Sequence, residues 1–446
     1  MKIVIAGAGG IGFHLAKLLS FAQHDIVLID SNHDVLEYAS SHLDVITVLG
    51  DATSLEILET ARVSSATIFL AVTTLENDNI VACILAKNLG CKQTIARINK
   101  VSNLRDAFRD TFKQLGVDKI ISPSNLAAQE ISRLIKVGKV TDSFEFENGK
   151  LSLIGISIKE DSPYIGLSIE EIKTIKGTKY NPIAILRGNE TILPRNQIKI
   201  QKGDHIYFLI ESKEIESLLC AIGTQSENKI KKLMILGGNE ISIQVGKLLE
   251  EDYNITIVEK NESICKRLVN EFHNVLVIKG DPSNIELLRE EGLADMDALI
   301  ALTQDSEINI ISCLMADKEG VKRTIALVDN MEYIHISQNI GVDTIINKKL
   351  IAANYIFRFV RKGKIEAIAS LHGVNAEVIE YVIQKDSQVT KNPLRNLRFP
   401  ENAIIGSVIR DDKYYIPTGD FVLNLHDKVI VLALPDSLKK VEDLFR

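Results

Sequence analysis

Gly7, Ala8, Gly9, Gly10, Ile11 and Gly12 form a G-x-G-x-x-G run near the amino terminus. The chemistry that spacing can do is to hold a pyrophosphate. Gly7 allows a tight turn, Gly9 lets the backbone approach the phosphates, and Gly12 lets a helix pack closely on a strand. The run has meaning only between a strand and a helix. Here apolar residues 2–6 precede it and a helical pattern over 10–22 follows. The helix start then presents N–H groups and a partial positive charge. Asp30 ends the second expected strand, eighteen residues after Gly12. A carboxylate there accepts from both ribose hydroxyls and repels a 2′-phosphate, which favours NAD or an adenosine nucleotide over NADP.

Other polar residues fall at the same edge. Gly50-Asp51-Ala52-Thr53 follows the third strand, where the adenine end of a ligand would lie. Asp51 can accept from an adenine amino group or cap the helix expected over 54–61. Thr73 and Thr74 follow the fourth strand, and Arg97 ends the fifth, all at the carboxyl edge where ligands bind. A guanidinium there can clamp a phosphate, or pair with a surface carboxylate.

No constellation for catalysis accompanies them. Hydride transfer needs an acid or base near the nicotinamide. His205 and His426 lie in strand–turn segments without an obvious carboxylate partner. There is no P-loop lysine and no Ser/His/Asp order, so no catalytic residue is predicted. Cys83, Cys91, Cys220, Cys265 and Cys313 form no C-x-x-C and lie near no His cluster. They read as thiols in a reducing compartment, with neither metal site nor disulfide.

These residues sit in an internal repeat offset by about 230 residues. IVIAGAGGIGFHLAKLL (3–19) matches LMILGGNEISIQVGKLL (233–249), and VITVLGDAT (45–53) matches VLVIKGDPS (275–283). AVTTLENDN (71–79) matches ALTQDSEIN (301–309), and LGVDKII (115–121) matches IGVDTII (340–346). The tract 186–210 also aligns with 409–433, so that Arg187, Pro194 and Asp204 correspond to Arg410, Pro417 and Asp427. The chain therefore reads as four modules, N1–C1–N2–C2.

The elements that must position the glycine loop follow from periodicity. In N1, strands are predicted near 2–6, 25–29, 45–48, 67–72, 93–97 and 119–121. Helices are predicted near 10–22, 32–41, 54–61, 77–90 and 103–115. Alternation of apolar strands with helices implies a doubly wound parallel sheet of Rossmann type, covered on both faces. The C modules read as small α+β domains with a short helix near 168–174. The fold class is thus α/β, with two Rossmann-like domains each followed by a small α+β domain. The expected boundaries are 1–123, 141–225, 229–348 and 366–446, with linking helices over 124–140 and 349–365. Leu126, Ile131, Leu134 and Ile135 recur at helical spacing in the first of these. Such a helix can pack internally or cross to another subunit.

The 446 residues carry a net charge of −7, with 46% apolar and 25% charged residues. That balance argues against a general nucleic-acid binder. No apolar stretch reaches the ~18–20 residues of a membrane span, and MKIVIAGAGGIG is followed by no A-x-A-like cleavage site. A cytoplasmic protein is expected, one that can still dock on a membrane protein.

The second copy departs from the first. Its loop reads Gly237-Gly238-Asn239-Glu240-Ile241-Ser242, and Leu327 stands where Arg97 stood. Glu259 still ends the second strand, and Gly280-Asp281 persists. Weaker or altered nucleotide binding is predicted for N2.

The module order, with GAGGIG, VLID, GDAT and ARIN in N1 and the repeated Arg…Pro…Asp pattern, resembles the RCK (regulator of potassium conductance) family and, within it, the tandem Trk-type branch. The resemblance covers essentially the whole chain. It implies N-type Rossmann domains, C-type domains, and a ligand-gated regulator, not a catalyst. It implies NAD(H), with ATP or ADP in some members. Carried over by position, the contacts are Gly7 to Ile11, Asp30, Asp51, Ala52, Thr73, Thr74 and Arg97, and in N2 Gly237, Gly238, Glu259, Gly280 and Asp281. It further implies a homotetramer of eight RCK units on the inner face of the cell membrane, under a potassium-transport subunit of TrkH/TrkG type. Some C-type domains of the family bind cyclic di-AMP, and nothing decisive marks such a site here. Two alternatives stand beside this reading: an NAD-dependent dehydrogenase, and a gating subunit of another cation or solute transporter.

Overall fold

The computed structural model describes residues 1–446 except 22–23, 100–105, 138–139, 141, 159, 161, 174–179, 189, 223–229, 331–332, 334–340, 361–364, 371–375, 387, 412 and 446. The expected start of the helix over 103–115, the end of the helix near 168–174 and parts of both linking segments lie outside the described residues.

In N1, β1 (Lys2–Ala6), β2 (Asp25–Asp30), β3 (Ile46–Leu49), β4 (Ile68–Ala71), β5 (Gln93–Arg97) and β6 (Lys119–Ile121) form one sheet. Every pairing is parallel and the order is β3-β2-β1-β4-β5-β6. Ile3, Val4, Ile5 and Ala6 are all fully buried, because connecting helices cover both faces of the central strand. The order reverses between β1 and β4, and at such a switch point the connections leave in opposite directions and open a crevice at the carboxyl ends. The glycine loop leaves β1 there.

C1 contains β7 (Asp142–Phe146), β8 (Leu151–Ser157), β9 (Tyr180–Arg187), β10 (Glu190–Ile192) and β11 (His205–Glu211), and the expected short helix is Ile169–Lys173. Its sheet is antiparallel, in the order β10-β9-β11-β8-β7. N2 repeats the N1 sheet with β12 (Lys232–Leu236), β13 (Asn254–Glu259), β14 (Val275–Lys279), β15 (Ala298–Ala301), β16 (Arg323–Leu327) and β17 (Thr344–Ile346), ordered β14-β13-β12-β15-β16-β17. C2 repeats C1 with β18 (Ile365–Ser370), β19 (Glu377–Val382), β20 (Ala403–Arg410), β21 (Lys413–Tyr415) and β22 (Lys428–Ala433). Their order, β18-β19-β22-β20-β21, is that of C1.

The two C sheets share one core, in which Leu153, Ile183, Tyr207 and Leu209 of C1 pack with Val378, Ile430 and Leu432 of C2. The other face of the C1 sheet, with Ile154, Ile185 and Phe208, packs on its own helices. Burial on both faces explains why β8, β9 and β11 are apolar without alternation. The repeated Arg and Asp of the C modules form bidentate pairs. Arg187 Nε and Nη2 donate to Asp204 at 2.7 and 2.8 Å, and Arg410 does the same to Asp427 at 2.8 and 2.7 Å. Asp204 and Asp427 are fully buried, so the pattern marks a lock within each module.

The linking helices are Pro123–Val137 and Lys348–Val360. The first buries Ile131, Leu134 and Ile135, as their spacing predicts. The second lies against the first module of the same chain. Residues 347–361 form one compact unit with residues 1–129, and the helix lies along the glycine-loop helix Gly10–Phe21 of N1, not on the N2 module it follows. Residues 130–346 and 362–446 form the other unit. Among the described residues no helix is long and apolar enough to cross a membrane.

Candidate nucleotide-binding site

The N1 loop is shaped by three glycines with three different constraints. Gly7 has φ +99°, a left-handed value that L side chains rarely adopt, and a Cβ would lie 2.9 Å from the Thr73 nitrogen. At Gly12 a Cβ would fall 1.8 Å from the Gly7 carbonyl oxygen, so helix and turn approach as closely as bare backbone permits. At Gly9 a Cβ meets no protein atom within 4 Å. The fold itself therefore does not require glycine at that position. Gly9 also has no side chain with which to cap the helix Gly10–Phe21, whose first-turn amides lack intrahelical acceptors. Ala8 and Ile11 are buried beneath the loop.

Asp30 fastens this loop to β2. Its Oδ2 accepts from the Ala8 amide at 2.7 Å and its Oδ1 from the Asn32 amide at 2.9 Å. Each carboxylate oxygen retains a second lone pair, so this half-buried group can accept further hydrogen bonds. Asp51 does something other than cap a helix. Its Oδ1 accepts from both the amide and the hydroxyl of Thr53 at 2.8 Å, closing a local turn. Ala52 points into the N1 core.

At the far side of the crevice, Thr73 is half-buried and Thr74 exposed. Arg97 lies beside them, its Nη1 donating to the Thr73 carbonyl at 3.4 Å. Sequence reasoning missed the residue that organises this wall. Asn79, 1% exposed, accepts through Oδ1 from the Thr73 amide at 2.9 Å and the Thr73 hydroxyl at 2.8 Å. Its Nδ2 donates to the carbonyls of Thr73 at 3.1 Å and Arg97 at 3.0 Å. One amide thus sets the ends of β4 and β5. Asn309 repeats the arrangement on Thr303 and Leu327 in N2. The signal was present, since both asparagines and both threonines align in the repeated segments 71–79 and 301–309.

In N2 the same positions close on themselves. Gly237 has φ +92°, like Gly7. At Gly238 a Cβ would meet Ile264 at 2.7 Å and Leu268 at 2.8 Å, so a helix side chain fills that space. Glu259 accepts from the amides of Gly238 and Asn261, each at 2.7 Å, and is buried. Asn239 caps the helix Glu240–Leu249, accepting from Ile241 and Ser242 amides at 2.9 and 3.1 Å and donating to the Leu302 carbonyl. Glu240 pairs with Arg267 at 3.1 Å. Gly280 makes room for Leu287, and Asp281 closes a turn on Ser283 as Asp51 does on Thr53. Hydrogen bonds from Ser283 hold the Asp281 carboxyl below its ordinary range.

A cavity of about 460 Å³ lies elsewhere in the N1 unit, along β6, with Lys113, Asp118, Lys119, Asn125 and Tyr355 in its wall. None of the sequence-predicted site residues lines it.

Fold and loop together define a tandem of dinucleotide-type Rossmann domains, each with an antiparallel companion. Comparison with known proteins gives the class a family. Residues 3–123 and 233–348 each match the TrkA-N domain, and residues 153–222 and 378–446 each match the TrkA-C domain. The chain is 30% identical to the Trk system potassium uptake protein TrkA homolog 2 of Methanosarcina mazei, covering 100% of both chains. It is also 30% identical to the Trk system potassium uptake protein TrkA of Azorhizobium caulinodans, over 100% of this chain and 99% of that one. Among solved structures, the GsuK channel bound to NAD aligns with TM-score 0.61 and 16% identity, over 100% of this chain and 78% of that chain. The last likeness shows the fold. The chain belongs to the TrkA family.

Proposed function

We propose that the chain is a nucleotide-sensing regulatory subunit of a Trk-type potassium-uptake system, with N1 as its sensor. Membership of the TrkA family and full-length relatives named as potassium uptake proteins support this reading. The observation that carries the site is Gly9, where the fold leaves open space beside a helix start that has no side-chain cap of its own. NAD(H) is the proposed ligand, with ATP or ADP as alternatives, and the GsuK neighbours solved with NAD and with ADP make both classes reasonable. A bound nucleotide supplies phosphates to the first-turn amides. Gly7 to Ile11 line its path, Asp30 takes the ribose, Thr73 and Thr74 form the facing wall, and Arg97 presents a guanidinium there. Asp51 and Ala52 flank the adenine end. Gly237, Gly238, Glu259, Gly280 and Asp281 make N2 a weaker site.

In this proposal the subunit is cytoplasmic, peripheral on the inner membrane face, and assembles as a homotetramer under a TrkH/TrkG-like partner. A ligand moves such a ring only through its differential affinity for two conformations. Groups that hold phosphates at the loop can supply that difference.

Calorimetric titration of the full chain with NAD, NADH, ATP and ADP tests the reading. Wild type binds at least one of them. Gly9→Ala keeps the melting midpoint and weakens binding by about tenfold or more, because the methyl occupies ligand space and no protein atom. Failure of all four nucleotides to bind would sink the proposal.

A further inference from the structure

Gly7 turns the N1 loop directly against the main chain that leaves β4. A Cβ at Gly7 would lie 2.9 Å from the Thr73 nitrogen, 3.0 Å from the Thr73 Cα and 3.1 Å from the Val72 carbonyl carbon. Backbone meets backbone there, so where the Thr73 peptide sits decides where the loop can sit.

A single buried side chain fixes that peptide. Asn79, on the helix Glu76–Asn88, has two acceptor lone pairs on Oδ1 and two N–H groups on Nδ2. The lone pairs take the Thr73 amide and the Thr73 hydroxyl. One N–H goes to the Thr73 carbonyl and the other to the Arg97 carbonyl, at 3.1 and 3.0 Å. The hydrogen-bonding capacity of the amide is thus used up within the protein. Whatever Asn79 does for a ligand, it does through Thr73, Arg97 and the loop packed on them. Arg97 in turn is tied at both ends, by its carbonyl to Asn79 and by Nη1 to the Thr73 carbonyl at 3.4 Å.

N2 supplies an internal control. Asn309 makes the same four bonds, three to Thr303 and one to the Leu327 carbonyl. A Cβ at Gly237 would lie 3.1 Å from the Thr303 Cα. The scaffold is the same, but it presents a leucine where N1 presents an arginine.

We infer that Asn79 is a positioning residue of the N1 nucleotide site. It aligns the glycine loop with the facing wall, and nucleotide affinity depends on it although it touches no ligand. The inference rests on N1 being a nucleotide site. Side chains locked by their own hydrogen bonds are what holds a binding constellation to its productive geometry.

Full-length wild type, Asn79→Ala and Asn309→Ala are titrated calorimetrically with NAD, NADH, ATP and ADP, well below their melting midpoints, which are measured separately. Both variants should lower the midpoint to a similar degree. N79A should lose about tenfold or more in affinity for each nucleotide that wild type binds, with the stoichiometry kept. N309A should keep wild-type affinity. Asn79→Asp retains the acceptor facing Thr73 and gives up both N–H donors, so it should lose affinity in the same way and serves where N79A does not fold. Wild-type affinity in the Asn79 variants overturns the inference. A fall in stoichiometry alone also overturns it, since that marks an unfolded fraction, and so does an equal loss of affinity in N309A. Absence of any binding by wild type overturns the nucleotide-site reading itself, and this inference with it.

Discussion

The two glycine loops of this chain have the same backbone plan and opposite solutions to the same problem. A helix that starts at a sheet edge presents amides without acceptors. In N2, Asn239 supplies the acceptor, Ser242 donates to the Gly237 carbonyl at 2.6 Å, and Glu240 is neutralised by Arg267. In N1, Gly9 supplies none, and Gly12 leaves nothing between helix and turn. The acid that ties loop to second strand is common to both, as Asp30 on Ala8 and Glu259 on Gly238. The carboxylate is therefore part of the loop's construction, and the residue at the helix cap is what separates a helix start with no side-chain acceptor from one that supplies its own.

The sharpest way to break this comparison is at the helix–turn contact. Gly12→Val would put a Cβ 1.8 Å from the Gly7 carbonyl oxygen. It should cost about 3 kcal/mol in stability and remove nucleotide binding, measured by denaturant unfolding and calorimetry. The aligned Ser242→Gly, which loses one hydrogen bond in N2, should cost only about 1 kcal/mol and leave N1 binding intact.

A second contrast concerns acid. His14 on the N1 helix aligns with Gln244 in N2. Burial, with Lys17 adding to it, holds the His14 imidazole down to about 4. The unfolded chain therefore takes up a proton near pH 6.5 that the folded chain refuses until about pH 4. This group's stabilisation is complete above pH 6.5 and is lost as the pH falls through that window. The loss is on the order of 3 kcal/mol at most, less what water reaching the half-buried ring screens. Unfolding of His14→Gln followed from pH 7 to pH 4 should show a flatter decline than wild type. An identical decline would mean that the ring is solvated.

The smallest effect tests the cap itself. Asn239→Ala should destabilise the protein by about 1 kcal/mol, the usual cost of losing an asparagine cap, with nucleotide affinity at N1 unchanged. A larger loss, or a change in ligand affinity, would show that the N2 loop does more than complete its own helix.

Much of this was legible before any coordinates. Regular β–α alternation requires a parallel sheet, and the repeat required a second one. Asp30 and Arg97 could be placed because both end strands at the carboxyl edge of the sheet. Other features were hidden for particular reasons. The apolar stripe of residues 350–360 states that a helix must be covered, but not by which module, since nothing local encodes a contact with residues 10–21. Asn79 sits among acidic and polar residues that read as an ordinary helix start, and its importance lies in carbonyls from two strands. Asn239 reads as a lost glycine, whereas its chemical meaning is a gained cap.

The placement of the Lys348–Val360 helix has a consequence for how the chain is made. N1 emerges first during synthesis, yet the helix that lies along its glycine-loop helix is encoded after the intervening residues 130–346. Vectorial folding can complete its sheet early, but not its full complement of contacts. Closing so long a loop belongs to a late, slow stage. The first module therefore matures only once residues 348–360 have been translated, and a truncated product ending before residue 348 lacks both that cover and Lys349, whose side chain crosses Gly10.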